Sequence, residues 1–304
     1  MTPTFAVVGA GAVGCYFGGM LARSGVPVTL IGRAPHMDAI ARDGLKIDGV
    51  RLQERIPVRA TTNLEEGLRD ADVILFSVKT VRTESAAREM APFLKPDATI
   101  LSLQNGVDNA NRIQAAIGRR AIPVVVYVAV DMTAPGAVKH SGRGDLVVGH
   151  NAAPLAAMFE KAEIPCRVSD AFEVELWTKM VLNCAYNAIS ALTRARYGRM
   201  MEFPQIRSLM ERATKECVEV AQAEGVALSE TQTMEAVYAL AGKMSAATSS
   251  TAQDIARGRL TEIGSLNGYI VRRGAALGIA TPVSEILVTL VELLEDSAVS
   301  SRAD

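Results

Sequence analysis

An α/β domain of the doubly wound type followed by an all-α domain is the fold class this sequence predicts, and three observations carry it. Up to about residue 170, short β-branched apolar runs alternate with helix-like stretches. A glycine-rich loop, GAGAVG at 9–14, joins the first of those runs to the first helical stretch. Beyond residue 170 the β-type runs stop and only helical spacing remains. Strands alternating with helices make βαβ units, so the first part should be a parallel sheet covered on both faces. The expected domains are residues 1–170 and 171–304.

The strands are read from TFAVVGA (4–10), PVTLIG (27–32), DVILFSVK (72–79) and TILSLQN (99–105), each short, apolar and rich in β-branched residues. Helix-like stretches at 12–24, 64–69, 83–94 and 107–117 lie between them. Residues 45–60 alternate with a period near two around Asp48-Gly49, as a hairpin does. Gly- and Pro-rich punctuation at 133–150 separates further, partly antiparallel strands. In the second part, segments 171–193, 205–225, 229–247, 250–258 and 261–278 keep helical spacing, with Glu224-Gly225 and Leu277-Gly278 as stops. Thr281-Pro282 opens a last helix to about residue 295, and SSRAD at 300–304 should fray.

Composition narrows the function classes. With 49% hydrophobic and 21% charged residues the chain reads as a globular protein, and its net charge of −1 offers nothing to attract nucleic acid or an anionic membrane. The most apolar run, AIPVVVYVAV at 121–130, holds a proline and spans about half of the ~20 residues a membrane helix requires. The N-terminus has no basic start and long apolar stretch of a secretory signal, so a cytoplasmic location is expected. Cys15, Cys166, Cys184 and Cys217 are scattered, with no C-x-x-C pair and no metal-binding spacing.

The GAGAVG loop is G-x-G-x-x-G in the required context, after a strand and opening a helix. Gly9 permits the tight turn, Gly11 lets a pyrophosphate approach the backbone at the helix N-terminus, and Gly14 allows close helix–strand packing. With Ala10, Ala12 and Val13 between them, these residues form the expected dinucleotide cradle. The second strand indicates which dinucleotide. It ends in Ile31-Gly32-Arg33, and no acidic residue follows until Asp38. An acid there would take the ribose hydroxyl of NAD, whereas Arg33 suits the 2′-phosphate of NADP, though a solvated strand-end arginine looks the same in sequence. Lys79 and Asn105 end two further strands, on the edge where open α/β sheets bind ligands, or they cap their loops.

In the second part, LWTKMVLNCAYNAIS at 176–190 is apolar nearly all round a helix, yet it carries Lys179, Asn183 and Asn187 at a strict spacing of four. At 100° per residue they fall at roughly 0°, 40° and 80° on the wheel, a narrow polar stripe that one small ligand could touch throughout. Met180, Val181, Leu182, Cys184, Ala185 and Ile189 flank it too closely for an ordinary wet face. Buried amides and ammonium groups are costly unless partnered or used, which favours a cleft-lining helix over a half-exposed one. The second polar cluster, SSTAQDIARGRLTEIGSLNG at 249–268, reads equally as helix caps. Reduction of a carbonyl by a nicotinamide needs a proton donor for the developing alkoxide. His36 falls near the second strand's end, while His140 and His150 fall in Gly-rich connections, so Lys179 is the better acid.

Over nearly its whole length the chain resembles the ketopantoate reductase (2-dehydropantoate 2-reductase) family. The resemblance is carried by GAGAVG, Arg33, Lys79 in SVKT, QNG at 104–106, PGAVKHSG at 135–142, ELWTKMVLNCAYNAISAL at 175–192 and the 249–268 cluster. The W-x-K-x-x-x-N-x-x-x-N pattern is its specific part. The resemblance implies a Rossmann-type domain, a helical domain and an active site in the cleft between them. It casts Lys179 as the general acid and Asn183 and Asn187 as amides that hold the substrate. Ser250 matches a carboxylate-binding serine and Glu262 a glutamate that contacts substrate and cofactor. Asn105 matches a residue bridging nicotinamide and substrate, and Arg33 and Lys79 match positions facing the adenosine phosphate. Some relatives place another substrate-binding asparagine ten residues after the second of the pair; here that residue is Tyr197.

The resulting expectation is an NADPH-dependent reductase of 2-dehydropantoate in pantothenate and coenzyme A biosynthesis, acting on a small molecule with no nucleic acid, membrane or metal involved. The resemblance leaves room for a homodimer. Another branched 2-oxo acid as substrate, or a non-catalytic NADP sensor, are the alternatives; a sensor would have no need of the stripe or of Glu262.

Overall fold

Short apolar runs bounded by turn residues become the centre of a sheet when both of their faces are covered, and four such runs do so here. In the computed structural model, which describes residues 2–50 and 52–300 (the last three by backbone only), strands run at Phe5–Val8 (β1), Val28–Ile31 (β2), Leu45–Gly49 (β3), Gln53–Ile56 (β4), Arg59–Thr61 (β5), Val73–Phe76 (β6), Thr99–Ser102 (β7), Ala121–Pro123 (β8), Val125–Ala134 (β9), Ala137–Val148 (β10) and Cys166–Val168 (β11). The chain divides into two compact units between Phe172 and Glu173. The tail expected to fray lies, beyond Ser300, outside the described residues.

The first unit holds helices Ala12–Arg23 (α1), Ala34–Asp43 (α2), Leu64–Leu68 (α3), Thr83–Met90 (α4), Asn109–Ile117 (α5) and Ala153–Lys161 (α6). Its main sheet has the order β5-β2-β1-β6-β7-β8, every pairing parallel. The central strands β1, β2 and β6 are buried at every residue, as continuous apolar runs in a parallel sheet should be. The chain turns from β1 to β2 on one side and to β6 on the other, so the switch point lies at the carboxyl ends of β1 and β6.

A second sheet has the order β11-β10-β3-β4, with β9 paired antiparallel to β10. The hairpin expected at 45–60 is β3–β4, in register Leu45↔Ile56 to Asp48↔Gln53, but residues 59–61 leave it to edge the main sheet. Helix α1 is buried along Gly14–Leu21, because Tyr16, Phe17, Met20 and Leu21 share one core with residues of both sheets. One expectation is corrected here. His140 lies inside β10, stacked on Tyr16 at 4.4 Å between ring centroids, and not in a connection. His150 does lie in a connection, between β10 and α6, where it opens a single 3₁₀ turn and meets Asp170 at 2.7 Å. Helices α2 and α6 have no clear sequence signal, since α2 buries only Met37 and Ile40 and α6 only Ala156 and Phe159.

The second unit carries the helices Phe172–Thr193 (α7, starting at the boundary), Tyr197–Met201 (α8), Pro204–Ala223 (α9), Glu230–Lys243 (α10), Ser250–Ala256 (α11), Asn267–Leu277 (α12) and Pro282–Ser300 (α13). Its core gathers Tyr186 and Ile189 of α7, Tyr197 and Met200 of α8, Met210 of α9, Val237 of α10 and Leu287 and Val291 of α13. The helix expected over 261–278 is interrupted, with a 3₁₀ turn at Ile263–Ser265 and a non-helical Leu266 (φ −107°, ψ −106°) ahead of α12. Among the described residues no helix is long and apolar enough to cross a membrane.

Candidate active site

At the switch point of the first unit, Gly9 takes φ +93°, and a Cβ there would come within 2.6 Å of the Val78 backbone nitrogen. The turn is held by two donors, Gly9 N and Ala10 N, on the carbonyl of Ile31 at 3.1 and 2.9 Å. A Cβ on Gly14 would lie 2.5 Å from Ser77 Oγ and 2.7 Å from Val7, so this glycine lets α1 sit against β1. Gly11 differs: a Cβ there would meet only the Gly9 carbonyl, at 3.9 Å, and the residue is exposed. It caps α1 with no side-chain bond, and no acidic residue stands in the first turn. An open backbone approach to a helix N-terminus of this kind suits a pyrophosphate.

Arg33 follows β2, caps α2 without a side-chain bond, and is exposed with no partner among the described residues. Lys79 and Asn105 do not end strands as expected. Strand β6 stops at Phe76 and β7 at Ser102, so both residues sit three positions further on, in loops. A buried network absent from the sequence reading fixes those loops. Gln104 Nε2 donates to the Val78 carbonyl at 3.0 Å and to Thr83 Oγ1 at 2.8 Å, and its Oε1 accepts from Ser102. Thr83 donates to Asn109 Oδ1 at 3.1 Å, and Asn109 Nδ2 donates to the Asn105 carbonyl at 2.6 Å. One chain of hydrogen bonds thus ties the Lys79 loop to the Asn105 loop. Its only sequence signal is the polar run in QNGVDN, which loops share generally.

In the second unit the stripe lies on α7 and deepens along it. Lys179 and Asn183 are half-buried and Asn187 is 3% exposed, while Met180, Val181, Cys184, Ala185 and Ile189 beside them are buried. Two segments are tied to this helix. Ser249 caps α11, donates to the Asn187 carbonyl at 3.0 Å and, through its own N–H, bonds Ser190 Oγ at 3.2 Å. That places Ser250, exposed at the first position of α11, beside the Asn187 end. Asn267 donates to the Cys184 carbonyl at 3.2 Å, and Tyr269 meets Trp177 edge-on at 6.0 Å. These contacts pin α12, and the turn just before it that carries buried Glu262, against the stretch of α7 that bears Lys179 and Asn183. Tyr197 reaches the stripe as well, its hydroxyl donating to Asn187 Oδ1 at 3.5 Å. Ser249, Asn267 and Tyr197 were not among the expected site residues.

Chemically, one half presents an anion-ready helix terminus and an unpaired guanidinium, the other an ammonium, two amides and a carboxyl on adjoining segments. The sequence profile described as ketopantoate reductase PanE/ApbA matches residues 5–153, and that described as ketopantoate reductase PanE/ApbA C terminal matches 171–295. The chain is 33% identical to the 2-dehydropantoate 2-reductase of Halobacterium salinarum, over 95% of this chain and 98% of that one. The structure of a PanE/ApbA family ketopantoate reductase from Ralstonia eutropha superimposes with a TM-score of 0.92 at 45% identity, covering 97% of this chain and 99% of the other. A D-mandelate dehydrogenase in complex with NADH gives 0.88 at 25% identity, covering 97% and 99%. Matched in both units and along its length, the chain belongs to the ketopantoate reductase PanE/ApbA family of nicotinamide-dependent oxidoreductases.

Proposed function

We propose that this protein is an NADPH-dependent reductase converting 2-dehydropantoate (ketopantoate) to (R)-pantoate, a step towards pantothenate and coenzyme A. The observation that carries the reading is the polar stripe on α7 with the Ser250 and Glu262 segments tied to it, since a sensor without chemistry has no use for that cluster. In this reading residues 1–170 bind NADP and 171–304 supply substrate binding and catalysis. Gly9 to Gly14 cradle the pyrophosphate, Arg33 takes the 2′-phosphate with Lys79 near the adenosine phosphate, and Asn105 stands between nicotinamide and substrate. The nicotinamide, when bound, supplies the hydride that reaches C2. The ammonium of Lys179 faces the C2 oxygen, stabilises the charge that grows on it and gives it a proton. Asn183 and Asn187 hold the substrate's oxygens, Ser250 its carboxylate, and Glu262, catalytic with Lys179, contacts substrate and cofactor near the lysine.

A second reading keeps the chemistry and changes the 2-oxo acid. It is favoured by Tyr197 standing at the end of the stripe and by the likeness to D-mandelate dehydrogenase. Purified protein assayed with NADPH or NADH against ketopantoate, ketoisovalerate and phenylglyoxylate, following the loss of reduced nicotinamide, tests both. Ketopantoate with NADPH should lead, because a site that hydrogen-bonds a hydroxyl rejects an analogue lacking it. Equal efficiency with ketoisovalerate would refute the substrate assignment.

A further inference from the structure

Two buried tyrosines pack against each other in the second unit, at 4.5 Å between ring centroids, and they spend their hydroxyls differently. Tyr186 donates to the Val237 carbonyl at 2.6 Å, which is the ordinary use of a core phenol. Tyr197 reaches back from the start of α8 to the side chain of Asn187, the deepest member of the polar stripe. Its ring belongs to the core beside Met200 and Val237, and only 8% of the residue is exposed. Burial pushes the Tyr197 phenol up to about 12, so it keeps its proton throughout the working pH range. A phenol holding its proton has one hydrogen to give, and Asn187 Oδ1 is what it meets.

We infer that Tyr197 is a positioning residue for substrate recognition: by donating to Asn187 Oδ1 it orients the amide so that Asn187 presents its N–H donors to the ligand. This rests on the reductase reading above. An asparagine free to turn its amide can present either the oxygen or the nitrogen. With Oδ1 turned to Tyr197, the two N–H donors are what the amide turns the other way, and they suit an oxygen lone pair, on a carboxylate, a carbonyl or a hydroxyl acting as acceptor. Tyr197 therefore narrows the substrate class to 2-oxo acids that set an acceptor oxygen at that end of the stripe. The ring itself fills core volume, so removing only the hydroxyl should leave packing intact.

The test is a double-mutant cycle on Tyr197→Phe and Asn187→Ala, with Asn187→Asp beside it, using the 2-oxo acid the wild-type protein reduces best. Tyr197→Phe should raise KM for the 2-oxo acid by about threefold to tenfold, the range of one neutral hydrogen bond. Its kcat should stay within about twofold and its NADPH affinity should be unchanged, because the group acts on substrate binding, while the thermal midpoint should fall slightly with the loss of one buried hydrogen bond. In the Asn187→Ala background, Tyr197→Phe should add nothing further. Asn187→Asp keeps the acceptor for Tyr197 but loses the donors, so its KM should rise at least as far as that of Asn187→Ala. Equal effects of Tyr197→Phe in both backgrounds, an unchanged KM, or wild-type binding in Asn187→Asp would each overturn the inference while leaving the reductase reading standing. A wild-type protein that reduces no 2-oxo acid would overturn the reading and the inference together.

Discussion

Lys179→Met is the substitution that separates a catalytic lysine from a structural one. The side chains are close in volume, so the helix keeps its packing while the ammonium disappears. The two amides of the stripe cannot take its place. At 1.5 Å per residue, Asn183 stands about 6 Å and Asn187 about 12 Å further along the axis, and an amide on a short side chain does not cross that distance. The loss should then be the full contribution of a positioned general acid, roughly 10²–10⁴ in kcat, or about 2.7–5.4 kcal/mol at 1.36 kcal/mol per decade. Stability should be equal or lower, because Lys179 has interactions within the fold and its loss leaves the group it meets without that partner. Lys179→Arg refines the measurement: the guanidinium keeps the charge but does not give up its proton, so it should recover only the electrostatic share. The assay pairs a fluorescence titration of NADPH, expected to be unchanged, with single-turnover hydride transfer. Near-normal transfer in Lys179→Met would show that the lysine is structural and that the stripe has another purpose.

Arg33→Asp should narrow or invert the preference for NADPH over NADH by roughly one to two decades in kcat/KM, the scale of one charge-assisted phosphate contact; equal kcat/KM for the two cofactors in the wild-type protein would refute the role. Gly14→Ala should cost about 1–3 kcal/mol in urea unfolding and weaken NADPH binding, since its methyl would meet Ser77 Oγ at 2.5 Å and the Gly9 carbonyl at 2.8 Å. Burial holds the thiols of Cys15 and Cys166 at about 12 and about 11, and Cys217 is raised by its hydrogen bond to Cys184 and by burial. A thiol-exchange reagent at mildly alkaline pH should therefore leave these three unmodified in the native protein and label them in denaturant; labelling of any of them without unfolding would show that the core opens there.

How much of this was legible beforehand follows a physical division. The main sheet could be read because burial on both faces makes β1, β2 and β6 uniformly apolar, a property of each strand alone. The second sheet could be read only in part. The β3–β4 hairpin shows in its alternation, but the parallel pairing of β3 with β10 joins residues 46–49 to 137–140, and nothing in either stretch names the other. The β9–β10 register also shifts at 137/138, 140/142 and 143/145, which breaks the period of two and made KHSGRGD look like a connection.

The site divides along the same line. Lys179, Asn183 and Asn187 stand out because the apolar residues that make them conspicuous are their own neighbours on one helix. Ser249, Asn267 and Gln104 do not, because each spends its side chain on a backbone carbonyl elsewhere: that of Asn187, of Cys184 and of Val78. A carbonyl belongs to every residue type, so the acceptor leaves no trace in the sequence, and the donor looks like any helix cap or loop amide. Tyr197 is the hardest case, since its ring satisfies the core pattern completely and hides the hydroxyl. A polar group is visible in a sequence when the apolar surroundings that oblige it to find a partner are local. When those surroundings come from distant segments, as for the Tyr197 hydroxyl and Asn187, the coupling appears only once the chain has folded, and a residue that sets the polarity of a site can pass for packing.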